Sequence, residues 1–246
     1  GSDVCSSDLG IVFAQDAPQQ GGTLVVGAES MGDSFDIGFW HGFGGVNVID
    51  SIGEGLVRAD FATGEPIPGL AESWEISEDG LVYTFQVREG MTFHDGVAID
   101  AEAIVRSMAR PLNTEDSSYI EGMYMYANQG FENWESIEAT GEFEVTLTLT
   151  EPNATQLLVM SRPDGAIISP GTLDSGDFTS PAMAGPFQLE RFVPGQEAVI
   201  SRFDGYWQDE LPYLDQIIIR AYPDEASVLA ALQAGEIDMT LYAPFT

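Results

Sequence analysis

Polar and apolar positions alternate in LVYTFQVR, residues 81–88, so that Val82, Thr84, Gln86 and Arg88 take one face and Tyr83, Phe85 and Val87 the other. A period of two is that of a strand buried on one side. Residues 70–76 read as a second strand, and the SEDG between the two supplies hairpin turn chemistry. The alternation returns in FEVTLTL, FQLERFV and EAVISRF, whereas QIIIRAY is a continuous apolar run and predicts a buried strand. GGTLVVGAES, from Gly21, is a short apolar strand bounded by glycines, and IDMTLYAPFT begins another. Helices are predicted for VNVIDSIGEGL and for AEAIVRSMAR, which Asp100 caps, Pro111 closes and Ala103, Ile104 and Met108 give an apolar face. Two more follow, TQLLVM with Asn153 as its cap and DEASVLAALQAGE. Strands and helices intermingle without a regular βαβ period and without repeats, so the fold class is mixed α/β.

Composition narrows the partners. The chain of 246 residues is 44% hydrophobic, enough for one large domain or two small ones. Forty acidic residues face eight arginines and no lysine, a net charge of −32. Nucleic acid and anionic lipid are repelled by such a chain. The acids are spread over every segment, which reads as a solvated anionic surface suited to a high-salt habitat. No apolar run approaches the length of a membrane span. GIVFAQDAPQQGG resembles the end of a secretory signal, with a small-residue cleavage pattern at Val12-Phe13-Ala14, and implies export. The preceding GSDVCSSDL reads as translated sequencing adapter, and with it goes Cys5, the single thiol. Disulfides, thiolate metal sites and cysteine nucleophiles are then excluded.

Catalytic chemistry finds little to stand on. Only His41 and His94 are present, and no HxH, HExxH or CxxC spacing provides a metal set. In FHDG, Asp95 and Gly96 are turn residues, so His94 is read as part of a corner between strands rather than as a ligand. No GxSxG elbow, P-loop or GxGxxG occurs. Carboxylate pairs such as Glu151 and Asp164 carry no information among so many acids. The sequon at Asn153 is read as a helix start. What stands out is a glycine-rich loop in which Phe35, Phe39, Trp40, His41 and Phe43 crowd together. Rings interrupted by glycines build no periodic core face, and they suit a wall that a ligand approaches closely, although a core role competes.

From GGTLVVG to GEIDMT the chain resembles the extracytoplasmic solute-binding proteins of ABC transporters, in the family of oligopeptide, dipeptide and nickel binders. The likeness rests on GLAESWEISEDGLVYTFQVREGMTFHDGVAIDAEAIVRSM, supported by AGPFQLERFVPGQEAVISRFDGYW and ALQAGEIDMT. Two departures are Ala184-Gly185-Pro186-Phe187, where the family usually has GTGPY, and Asp36-Ile37, where it has Asp-Pro.

The resemblance implies a class II periplasmic-binding-protein fold, two lobes hinged about a buried ligand, of which this chain would carry the first. Residues 1–14 are then the adapter and signal remnant. Residues 15–54 with 166–246 form the main sheet, 55–165 form an inserted subdomain, and the second lobe is missing. Cleft-facing positions are expected at Phe39, Trp40, His41 and Phe43, at Tyr119, Tyr124 and Tyr126, at Gly185, Pro186 and Phe187, and at Leu241 and Tyr242. The same mapping puts His94 and Asp95 on the subdomain's outer side. It implies a monomer, without cofactor or metal, that captures a peptide or other small solute and passes it to a membrane permease. Half a clamshell leaves a ligand half solvated, so residues 15–246 alone should bind weakly. A secreted hydrolase with a dispersed serine or carboxylate site is the alternative, and a sensory or chaperone module on the same scaffold is a third reading.

Overall fold

The structure is a computed structural model and describes residues 18–39, 42–121, 123 and 131–241, with Phe43 described by its backbone alone. The strands in chain order are β1 (Thr23–Ala28), β2 (Val57–Ala59), β3 (Pro66–Pro68), β4 (Ala71–Ile76), β5 (Val82–Val87), β6 (Trp134–Gly141), β7 (Glu144–Leu149), β8 (Phe187–Val193), β9 (Glu197–Arg202), β10 (Gln216–Ala221) and β11 (Met239–Thr240). The helices are α1 (Gly42–Ile52), α2 (Ala101–Ala109), α3 (Gln156–Met160), α4 (Pro170–Ser175) and α5 (Glu225–Ala234).

Two sheets organise the chain. The five-stranded one runs β11-β1-β10-β9-β8, with β1 parallel to both neighbours and the β10-β9 and β9-β8 pairs antiparallel. The four-stranded one, β4-β5-β7-β6, is antiparallel throughout, and β2 and β3 pair by themselves. Alternation along β1 explains how helices cover its two faces. Val26 and Ala28 enter the main core, on which α1 packs across β8, β9 and β10, while Val25 joins Val228, Ala231 and Ile237 under α5. Gly27 lies on the α5 side, where a Cβ would stand 2.5 Å from Ile237 Cδ1. In β5 the buried residues are Tyr83, Phe85 and Val87, the face the alternation predicts, and each large apolar side chain so buried contributes about 1.5–3 kcal/mol. They pack with Val145, Leu147 and Leu149 of β7 and with Ile104 and Met108 of α2, whose Asp100 cap accepts Ala103 N–H at 2.8 Å. One apolar cluster runs continuously through both sheets.

The structure adds β2, β3, β6 and α4, which the sequence reading did not predict, and corrects that reading at four further places. Helix α1 begins at Gly42, earlier than the apolar spacing suggests, because Gly44 lets the helix lie against Ser30, whose carbonyl a Cβ there would approach to 2.5 Å. Asn153 does not cap α3: its Oδ1 accepts Thr155 N–H and Oγ1–H at 3.0 and 2.8 Å in a local turn before the helix. In β10 only Ile219 is buried, the flanking isoleucines being half-covered. His94 does occupy a turn, with Gly96 at φ +82°, but it is not on an outer side. It lies at the seam where the turn after β5 meets the chain entering β8. Met183 N–H donates to its Nδ1 at 3.2 Å, its Nε2–H donates to Gly185 O at 3.0 Å, and its ring meets Phe203 edge-on at 4.8 Å. Asp95 beside it accepts Ser169 Oγ–H at 2.5 Å.

Candidate functional site

The loop after β1 and the loop after α2, which carry several of the expected wall residues, converge. Asp36 is buried and accepts Gly38 N–H on Oδ1 at 3.0 Å, and its carbonyl accepts Phe39 N–H at 3.0 Å. The turn that presents Phe39 is thereby built around one carboxylate. Asp116 plays the same part in the other loop, taking Ser118 N–H and Oγ–H on Oδ1 at 2.8 and 2.6 Å and offering its carbonyl to Tyr119 N–H at 3.0 Å. Such local bonds let Asp set turns that the ladder of a helix or sheet would not. The loops touch where Gly38 faces Met123: a Cβ on Gly38 would lie 2.8 Å from Met123 Cε. Phe39, next to Gly38, and Tyr119, next to Ser118, are both half-buried.

Other expected wall residues are placed differently. Gly185 is wedged against α1, with a Cβ position only 2.5 Å from the Ile52 carbonyl carbon, and Phe187 is buried in the main core. Leu241 continues β11, donating its N–H to Gly27 O at 3.1 Å. Trp40, His41, Tyr124, Tyr126 and Tyr242 lie outside the described residues, as do the adapter and signal segment, Cys5 included, and the side chain of Phe43. Phe35, one of the crowded rings, is core: it meets Phe192 at 4.4 Å between centroids and is fully buried.

Pro186 opens on a separate concavity of about 540 Å³, whose walls include Glu54, Arg58, Phe61, Arg162 and Tyr206. Sequence reasoning missed Glu54. Its carboxylate accepts Tyr206 O–H at 2.8 Å and stands 3.5 Å from Arg58 Nε. Burial nevertheless pushes its pKa up to about 7, against the lowering effect of Tyr206, Arg58 and the nearby Trp207 N–H. Neither Glu54 Oε1 nor Trp207 Nε1 completes a hydrogen bond. Arg58 and Arg88 lie over the Trp207 ring, at 5.6 and 4.1 Å from its centroid. Nothing in EGL followed by the short β2-β3 hairpin announces this cluster, because its partner Tyr206 is far along the chain.

As for chemistry, both His94 nitrogens are engaged by backbone, so it is not free to act as a general base. Among the described residues no group of three His, Cys, Asp or Glu could hold a metal ion. Among them too, no helix is long and apolar enough to cross a membrane.

Among the described residues the loops after β1 and α2 converge on a mixed α/β lobe, and comparison with known proteins defines the family. The family model for bacterial extracellular solute-binding proteins, family 5, matches residues 65–246. The glutathione-binding protein GsiB of Escherichia coli (strain K12) is 31% identical over 181 residues, 72% of this chain and 34% of that protein. The ABC transporter-associated periplasmic binding protein DppA of Helicobacter pylori, solved with the peptide STSA, superimposes with a TM-score of 0.81 at 27% identity, over 90% of this chain and 47% of that one. NikZ of Campylobacter jejuni, solved with Ni(L-His), gives a TM-score of 0.73 at 26% identity, over 88% and 42%. The fold is therefore that of class II periplasmic binding proteins. The chain belongs to the family 5 bacterial extracellular solute-binding proteins, whose members here are binders rather than enzymes. It spans about a third of the length of the curated relatives it matches and under half of the solved ones.

Proposed function

We propose that this protein is the substrate-binding component of an ABC importer, exported from the cytoplasm, that captures a peptide or another small solute as a monomer and delivers it to a membrane permease. Capture is by closure of two lobes, the ligand favouring the closed form through contacts to both. Residues 15–54 with 166–246 constitute the main sheet of the first lobe and 55–165 its inserted subdomain. The wall comprises Phe39, Trp40, His41 and Phe43 together with Tyr119, Tyr124 and Tyr126, flanked by Pro186, Leu241 and Tyr242, with Gly185 and Phe187 seating that edge against α1 and the core. The observation that carries this reading is the convergence of the Phe39 and Tyr119 loops at Gly38 and Met123 in a chain of the solute-binding family. Flexible glycine and rigid aromatic residues meeting from two parts of the chain make a surface that accepts a ligand without transforming it.

The relatives' ligands, glutathione, a tetrapeptide and a nickel chelate, define the probes. Reduced glutathione, the peptide STSA and Ni(L-His) are each added to the protein as its gene encodes it. One class should raise the melting temperature with concentration and be recovered chemically intact. At a hundredfold excess over Kd the stabilisation is about 2.7 kcal/mol. Cleavage of the probe would establish the secreted hydrolase instead. Residues 15–246 alone should hold the same ligand only weakly in calorimetry, since they supply one side of the cleft.

A further inference from the structure

We propose that Arg110 is a positioning residue for solute capture, a buried clamp that sets both ligand-wall loops from behind. The inference rests on the solute-binding reading above. Arg110 follows the last turn of α2, and its side chain is 2% exposed. Nη1 donates to Asp36 Oδ1 at 2.7 Å, Nη2 donates to Asp36 Oδ2 at 2.8 Å, and Nε donates to Ser118 O at 2.7 Å. The ring of Phe178 closes over the guanidinium at 4.5 Å, and the Phe178 carbonyl accepts Phe35 N–H at 2.8 Å. One planar fork thus grips the carboxylate that shapes the Phe39 turn and the carbonyl that precedes Tyr119.

The clamp has a second point of attachment on the same helix. Arg106, one turn earlier, donates to Asp116 Oδ2 at 3.3 Å and to Asp174 Oδ1 at 2.7 Å, so the Tyr119 loop is held to α2 twice. The first loop is held by Phe35 N–H on the Phe178 carbonyl, and its carboxylate is gripped by Arg110 from a distant part of the chain. Loss of the guanidinium therefore frees the relative placement of the two loops and lets the local turns built on Asp36 and Asp116 open more often.

Stability alone gives a poor account of such a pair. Removing two charges from water is costly, and apolar replacements of buried ion pairs are often neutral or stabilising. What a bidentate Arg–carboxylate pair gives that an apolar contact does not is a fixed direction and register. That is what two loops from different sheets need if their rings are to meet one ligand, because small misplacements of contact groups are costly in recognition.

The test compares wild type with Asp36→Asn/Arg110→Met, which leaves no charge buried and keeps an acceptor for Gly38 N–H, and with Arg110→Lys, which keeps the charge but loses the fork. Amide hydrogen exchange is read first, without ligand. Protection at Gly38, Phe39, Ser118 and Tyr119 should fall at least tenfold in both variants, with the strand amides of β1 and β5 unchanged. Unchanged loop protection would overturn the clamp whatever the protein binds. Affinity for glutathione, the peptide STSA and Ni(L-His) is read second, and for whichever probe the wild type binds it should fall at least tenfold in parallel. Loosened loops with wild-type affinity would also overturn the positioning role. If wild type binds none of the three, it is the solute-binding reading that fails, and exchange alone then decides whether the two loops are clamped. If the double variant unfolds, Arg110→Lys carries both readouts.

Discussion

Two buried titratable groups at the seams of this protein pull its stability in opposite directions with pH. Glu54 has an ordinary value of 4.5 and is raised to about 7 by burial. The folded state therefore holds its proton more tightly than the unfolded state does. Its contribution is fully favourable below pH 4.5 and is lost as pH rises through about 7, a penalty of about 3 kcal/mol at 1.4 kcal/mol per pH unit. Replacing it with glutamine keeps an acceptor for Tyr206 O–H and removes the charge. Glu54→Gln should accordingly be more stable than wild type in urea at pH 8 by on the order of 2–3 kcal/mol, and close to it at pH 5. An equal difference at both pH values would show that Glu54 does not ionise against burial. His94 acts at the other end. Desolvation lowers its pKa below the ordinary 6.5, and Nδ1 must stay unprotonated to accept Met183 N–H. The folded state disfavours the imidazolium, so stability declines as pH falls below 6.5. His94→Gln should flatten that acid limb in thermal unfolding between pH 7 and 5.5 while lowering the plateau, because the Met183 and Gly185 groups lose their partner.

Among the elements, what the chain made legible was whatever depends on neighbours in sequence. The β5 face and the Asp100 cap both follow from residues within one turn or one strand. What stayed hidden depends on distant partners. Strand β6 buries only Trp134 and Ile137 at full depth and carries irregularities on both sides of its pairing with β7, so its apolar alternation is diluted. Of the candidate wall, the ring-rich loop was legible as unusual, but nothing local says that Phe35 is core or that Arg110 reaches Asp36. The same contrast gives an energetic ordering within α2. Asp100→Ala removes a cap from Ala103 N–H, which water can partly replace, and should cost about 1 kcal/mol. Ser107→Ala leaves the buried Ile168 N–H without its 2.8 Å acceptor and should cost more, about 1–3 kcal/mol, despite the better helix propensity of alanine. Urea unfolding of the two variants checks the order, and a cheaper Ser107→Ala would mean that the seam relaxes or admits water.

At the scale of the whole molecule the imbalance of charge dominates. Seven of the eight arginines are committed to ion pairs, Arg58, Arg106, Arg110, Arg162, Arg191, Arg202 and Arg220. The eighth, Arg88, donates to Gly69 O at 3.0 Å and stacks on Trp207. The cations thus serve local contacts, and the net charge of −32 stands over the rest of the surface. Folding draws those carboxylates together, so their mutual repulsion opposes the compact state more than the expanded one. Salt acts on both sides of the balance. It weakens the exposed pairs, such as Arg202 with Asp215 at 2.9 Å, but each of these is worth only about 0–1 kcal/mol. It also shortens the screening length from about 10 Å at 0.1 M to about 3 Å at 1 M, which removes most of the repulsion among separated carboxylates. The second effect sums over many more pairs and should win. Relief of a few kcal/mol corresponds to a melting temperature higher by roughly 10 °C at 1 M NaCl than at 0.05 M, on a scale of about 2–4 °C per kcal/mol for a chain of this size. Sodium chloride and potassium chloride should give superimposable curves at equal ionic strength, because screening depends on ion concentration and charge rather than on ion identity. A melting temperature that stays level or falls over that range would mean that the ion pairs, and not the unpaired acids, set the electrostatic stability of the fold.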